Sequence, residues 1–186
     1  MKGDMTVEDS SGCVRRVVAA RRNEGGGVAP VGCRVTIDGA LPRSLGLGRT
    51  ELRAAAAFFA ERSEARAGVP FREVVVVLQR DASSAEVHAA INGVEGPTDV
   101  VTQRYDAMPS EKPGVYGELY VNCDQAVRAA PRRNGWSAAK ELLLYVAHGM
   151  DHLSGADDLT PADYSRMRRR ELAWLRRVVV GRGIMV

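Results

Sequence analysis

The sequence predicts an α+β fold, a small mixed and mostly parallel four-stranded sheet packed with helices. Three observations predict it. Val74-Val75-Val76-Val77-Leu78 is a continuous, largely β-branched run, as expected of a strand covered on both faces. Strand and helix patterns alternate through the first half, which calls for a right-handed parallel crossover between the first two strands. Helical patterns then dominate the second half, so helices must pack against the sheet rather than only join its strands.

Each element has its own signal. A strand is expected over Cys33–Asp38, where Val35 and Ile37 alternate with polar neighbours. Turn-rich Gly39–Gly48 leads to a helix capped by Thr50 and running to Arg66, with Leu52, Ala55, Ala56 and Phe59 on one face and Gly68 beyond its end. The second strand is Arg72–Gln79. Ser84 is read as the cap of a short helix to Asn92 that turns Val87 and Ile91 inward. A third strand spans Thr98–Thr102, residues 104–116 form a polar loop, and a fourth strand covers Gly117–Asn122. A short helix to Ala130 precedes the break at Pro131-Arg132-Arg133-Asn134-Gly135. Ser137 caps the next helix, and Thr160-Pro161-Ala162-Asp163 starts the last, which runs to Val179 and buries Tyr164, Met167, Leu172, Leu175 and Val178.

Residues 1–32 read as a poorly ordered leader: they contain Gly25-Gly26-Gly27, the pairs Arg15-Arg16 and Arg21-Arg22, and no sustained apolar period. Residues 33–186 then make one domain. With 45 % hydrophobic and 26 % charged residues in 186, the composition is that of an ordinary globular protein. The net charge of +3 is compatible with a polyanionic partner without requiring one. No apolar run approaches the roughly 20 residues of a membrane span, and none resembles a signal peptide, so the expected compartment is the cytoplasm and no membrane partner is expected. Cys13, Cys33 and Cys123 are scattered and odd in number, which argues against both a disulfide framework and a cysteine zinc knuckle. A phosphate loop is also unsupported, because Gly46-Leu47-Gly48 lacks the preceding strand and the lysine.

The chemistry concentrates in Ala147-His148-Gly149-Met150-Asp151-His152-Leu153-Ser154-Gly155-Ala156-Asp157-Asp158. Residues at i and i+4 share a helix face about 6 Å apart, so His148 and His152 can reach one ion. Gly155 can end the helix in a left-handed turn, and the returning chain can deliver Asp157 or Asp158 as a third ligand. Two imidazoles and a carboxylate form a catalytic zinc set with a fourth position open to water, which makes this a metal-dependent hydrolase pattern and places a zinc-binding helix in the C-terminal half. A zinc peptidase would need glutamate directly after His148, where this chain has Gly149. His88 lies on a separate short helix and is read as exposed rather than as a ligand.

These motifs, in this order, resemble the YbeY family of ribosomal RNA maturation endoribonucleases. The family signature is close to H-G-x-L-H-L-x-G-Y-D-H, against HGMDHLSGADD here. Pro97-Thr98-Asp99-Val100 matches the family's P-T-D-V, and Gly117-Glu118-Leu119-Tyr120-Val121-Asn122-Cys123 is similar to its G-D-I-V-I-C strand. The resemblance runs from about Val74 to Arg177. It implies one Zn²⁺ per chain on His148, His152 and Asp158, with Asp158 standing where the family has its third histidine. The family's arginine ahead of P-T-D-V has no counterpart, since the chain reads Asn92-Gly93-Val94-Glu95-Gly96 there; Arg104, just past the strand, is the candidate to replace it as a catalytic group.

The activity so implied is zinc-dependent cleavage of RNA in ribosomal RNA processing and ribosome quality control. The expected partners are ribosomal RNA, especially that of the small subunit, and ribosomal proteins or assembly factors. Phosphate contacts would come from Arg132, Arg133 and the group Arg166, Arg168, Arg169, Arg170, Arg176 and Arg177, most of which also read as the wet side of a helix. Asp151 or Asp157 could orient a ligand histidine, and Asp99 could hold the turn or line the cleft. Two alternatives stay open: a catalytically silent, metal-stabilised ribosome-assembly module that binds RNA, and a zinc hydrolase acting on another substrate.

Overall fold

The computed structural model describes residues 32–180 and 184–185. The leader expected over residues 1–32 lies outside these except for Gly32, as do Cys13 and the two N-terminal arginine pairs. One sheet contains β1 (Arg34–Asp38), β2 (Phe71–Gln79), β3 (Val100–Asp106) and β4 (Val115–Asn122). Its order is β1-β2-β4-β3, with β1 and β4 parallel to β2 and with β3 antiparallel to β4. The mixed, mostly parallel sheet is therefore as expected. The helices are α1 (Arg49–Ala67), α2 (Asp81–Asn92), α3 (Cys123–Ala129), α4 (Ala138–Leu153) and α5 (Pro161–Leu175), and Val179–Val180 pairs with Ile184–Met185 in a short antiparallel ribbon.

The core explains why α4 is the organising helix. Leu142, Leu143, Leu144, Val146, Ala147 and Met150 have no exposure, and a helix whose middle turns are apolar on nearly every face has to be enclosed there. It packs against α1, α3, α5 and the β3–β4 hairpin. Two glycines let it come close to the sheet. A Cβ on Gly149 would lie 2.8 Å from Leu119 Cδ2, and one on Gly117 would lie 2.5 Å from Leu153 Cδ1. Gly149 thus faces the sheet, which leaves His148 and His152 on a neighbouring stripe.

Several boundaries and faces differ from those expected. Gly48, not Thr50, caps α1, its N–H donating to the Glu51 carboxylate at 2.7 Å. α2 begins at Asp81, so Ser84 lies inside it, buried, with its Oγ donating to Thr98 O and accepting from Thr98 N. Ile91 is exposed rather than inward. The loop expected over 104–116 contracts to 107–114, because Arg104, Tyr105 and Asp106 pair with Gly117, Tyr116 and Val115. Cross-strand pairing supplied a strand that polar residues had concealed. In β2, Val74 and Val76 are fully buried while Val75 and Val77 are only partly so; β-branched residues suit a half-covered face as well as a covered one. The last helix ends at Leu175, short of Val179, and Tyr164 in its first turn is 45 % exposed.

Candidate metal centre

Local structure delivers the three residues separately. Ser137 caps α4 by accepting the Lys140 N–H, and the helix carries His148 and His152 one turn apart near its C-terminal end. Gly155, at φ 83°, reverses the chain, and Thr160 and Pro161 open α5. Asp158 sits in the connection between them. His148 Nε2 and His152 Nε2 lie 3.2 Å apart, and Asp158 Oδ2 and Oδ1 lie 3.5 Å and 3.9 Å from them respectively. Among the described residues, these three form the group able to hold a metal ion. A tetrahedral ion with ligands at about 2.0–2.1 Å separates its ligand atoms by roughly 3.3 Å, so the spacing fits.

The ring nitrogens make the stronger case. His148 Nδ1 lies 2.6 Å from Glu171 Oε1, and His152 Nδ1 lies 3.0 Å from the Ala156 carbonyl. A carbonyl can only accept, and so can an ionised carboxylate, so both Nδ1 atoms donate. Both Nε2 atoms then point lone pairs at each other across 3.2 Å unless a cation lies between them. That cation is a proton or a metal ion. Burial works against a charged His148, but the Glu171 hydrogen bond and charge, with Asp99 and Asp158 behind them, outweigh it and raise its pKa above 6.5.

Glu171 is the residue that reading the sequence missed. It comes from α5, is fully buried, and fixes both the tautomer and the orientation of His148. A signal existed: Met167, Glu171, Trp174 and Leu175 make one buried stripe, and a carboxylate within such a stripe needs a partner. Neither aspartate suggested for this role performs it. Asp151, fully buried, accepts two hydrogen bonds from Arg170 Nε and one from Nη2, with Arg66 Nε at 3.5 Å. Asp157 accepts the Asp158 N–H at 2.7 Å and so shapes the ligand turn. Asp99 accepts from Thr98 Oγ1 and Val100 N, holding the turn into β3 while its charge reaches His148. His88 bonds the Gly96 carbonyl, so it ties a loop and is not in the cluster.

A family model described as Endoribonuclease YbeY matches residues 48–179, which is most of the chain and includes all four site residues. The chain belongs to the YbeY family. Among similar curated proteins, the endoribonuclease YbeY of Rhodopirellula baltica is 42 % identical over 78 residues, covering 41 % of this chain and 39 % of that protein. That of Roseiflexus sp. is 32 % identical over 117 residues, covering 59 % and 72 %, and that of Anaeromyxobacter sp. is 32 % identical over 130 residues, covering 70 % and 64 %. The chain thus spans from about two fifths to about seven tenths of these relatives' lengths. The solution structure of TM1509 from Thermotoga maritima aligns with a TM-score of 0.49 at 23 % identity, over 76 % of this chain and 85 % of that one.

The arginines sort by what they touch. Arg104 Nη1 donates to the Leu153 carbonyl at 2.7 Å and Nη2 to Asp106 at 3.1 Å, so it anchors the end of α4 and makes no bond to the three clustered residues. Arg133 pairs with buried Glu141, Arg166 with Asp163, and Arg170 with Asp151. Arg132, Arg169, Arg176 and Arg177 are exposed. Arg168 reaches the far oxygen of Glu171, at 3.3 Å. Two of the expected wet-face arginines, Arg168 and Arg170, therefore turn inward to buried carboxylates. No helix among the described residues is long and apolar enough to cross a membrane.

Proposed function

We propose that this chain is a metal-dependent endoribonuclease, with one zinc ion on His148, His152 and Asp158, acting on ribosomal RNA during maturation in the cytoplasm. The observation that carries this is the opposed pair of Nε2 atoms, each ring locked from behind and Asp158 close to both. Family membership supports the RNA substrate. When bound, the ion would supply Lewis acidity toward a phosphoryl oxygen and lower the pKa of a water molecule. The residues do the rest: Glu171 keeps the His148 Nδ1 proton in place so that Nε2 stays a ligand, and the Ala156 carbonyl does so for His152. Asp158 adds a negative charge where the family has an imidazole, which makes the water less acidic than three histidines would. Ribosomal proteins or assembly factors complete the expected surroundings.

Metal content of the purified chain, with His152→Ala beside it, tests the site. About one zinc per chain, lost in the variant together with RNA cleavage, is expected. An RNA-cleaving wild type without metal would sink the reading. A second reading, a silent metal-stabilised RNA-binding module in ribosome assembly, is favoured by one observation: no arginine stands in Asn92–Gly96, and the Arg104 guanidinium is already hydrogen-bonded to Leu153 and Asp106. Full metal content with no cleavage of RNA would select it.

A further inference from the structure

The site has an excess of negative charge that a phosphodiester must overcome. Glu171 Oε1 lies 2.6 Å and Asp158 Oδ2 3.5 Å from the His148 ring nitrogens, and Asp157 adjoins Asp158. An RNA phosphate entering there needs a cation besides the metal. Among the described residues, Arg168 is the arginine ion-paired to a His148 partner, with Nη1 3.3 Å from Glu171 Oε2. Its side chain keeps 22 % exposure, so it joins the buried carboxylate to the surface. Its Nη1 is buried against Glu171, while Nη2 meets the Tyr164 hydroxyl at 3.3 Å and the guanidinium lies 5.3 Å from the Tyr164 ring centroid. A guanidinium has five N–H donors, so the Nε and Nη2 edge keeps donors beyond the one given to Tyr164. Tyr164 is itself 45 % exposed, and it stands six residues after the ligand Asp158, in the first turn of α5.

We propose that Arg168 is the phosphate-binding residue of this site, with Tyr164 bracing its guanidinium and offering its ring to the adjoining base. The proposal rests on the RNA reading above. Arginine recognises phosphate through its planar fork, and an aromatic ring that already carries an arginine on one side can take a base on the other. The other inward arginine of α5, Arg170, is spent on Asp151, and Arg166 on Asp163. Arg168 thus does for the substrate what no residue in the Asn92–Gly96 segment can do.

The test measures binding of a single-stranded 2′-O-methyl oligoribonucleotide, checked intact by gel, to the full chain across a salt series. Each phosphate contact to a single strand contributes about 0.7 to the slope of log K against log salt. Arg168→Gln is expected to bind more weakly with a slope shallower by about 0.7, while Arg168→Lys keeps the wild-type slope. Arg168→Met, which retains the side-chain stem, gives the same reading should the Gln variant fold poorly. Tyr164→Ala is expected to lower affinity at unchanged slope. An Arg168→Gln or Arg168→Met slope equal to wild type, or no binding by wild type, overturns the proposal. Zinc content measured on the same samples is a separate result, so failure of the metal reading and failure of this one are told apart.

Discussion

His148 and His152 are the same residue type one helical turn apart, yet they stand in different surroundings. His148 belongs to a buried wall. Its ring leans on Glu171, Glu171 meets Arg168, and three residues along α4 Asp151 is clamped by Arg170 and Arg66. Consecutive residues of α5, Arg170 and Glu171, therefore bolt that helix to α4 by two charged contacts. His152 belongs to an open rim. Its backing is a neutral carbonyl four residues on, and its companions are Asp158, exposed Asp157 and Leu159, which is 85 % exposed. The difference separates two tasks. The wall holds the position and tautomer of the His148 ring, and the rim leaves His152 and Asp158 partly exposed.

That contrast can be broken first from the wall. Asp151→Ala leaves Arg170 and Arg66 facing a cavity without their anion, and removal of one partner from a buried pair costs about 3–5 kcal/mol. Because Arg170 keeps some access to water, a loss of about 3 kcal/mol is expected, read from the urea midpoint. A loss below about 1 kcal/mol would show that the clamp is not what joins α5 to α4.

Glu171→Gln sharpens the comparison with a smaller effect. It removes the charge behind His148 while keeping nearly the same shape. Outer-shell partners of this kind are worth 10–100-fold in metal affinity, or about 1.4–2.7 kcal/mol, so weakened zinc affinity with retained fold is expected by competition with a chelating dye. Unchanged affinity would make the Glu171 contact a packing feature alone.

The smallest effect is on pH dependence. The raised pKa of His148 contributes stability to the metal-free protein that is fully present below the unfolded value of 6.5 and is lost as pH rises through the folded value. Metal binding needs the neutral imidazole, so it gains over the same rise. The gap between zinc-loaded and chelated urea midpoints should therefore widen between about pH 6 and pH 8. A constant gap would mean that His148 is not the proton competitor at this site.

Much of this is legible in the sequence. The His148–His152 spacing, the Gly155 turn and the caps at Ser137 and Thr160 are local features, set by helix period and backbone preference, and they recur where expected. The same holds for β2, whose β-branched run has no competing reading. Boundaries fixed by distant partners were not legible. β3 extends to Asp106 because β4 lies beside it, and Ser84 became an anchor for Thr98 because α2 starts earlier than its best cap.

By itself the sequence determined the candidates for an ion site, His148 and His152 with Asp157 or Asp158, and the centres of most helices and strands, because both depend on neighbours within a few positions. The tertiary structure alone decided that Asp158 approaches both imidazoles, that Glu171 rather than Asp151 or Asp157 backs His148, and that Arg104 is drawn to Leu153. Those pairings join residues far apart in the chain or placed by a turn. Their energies depend on burial and on which charge lies opposite, and only packing α5 against α4 and α4 against the sheet sets either one.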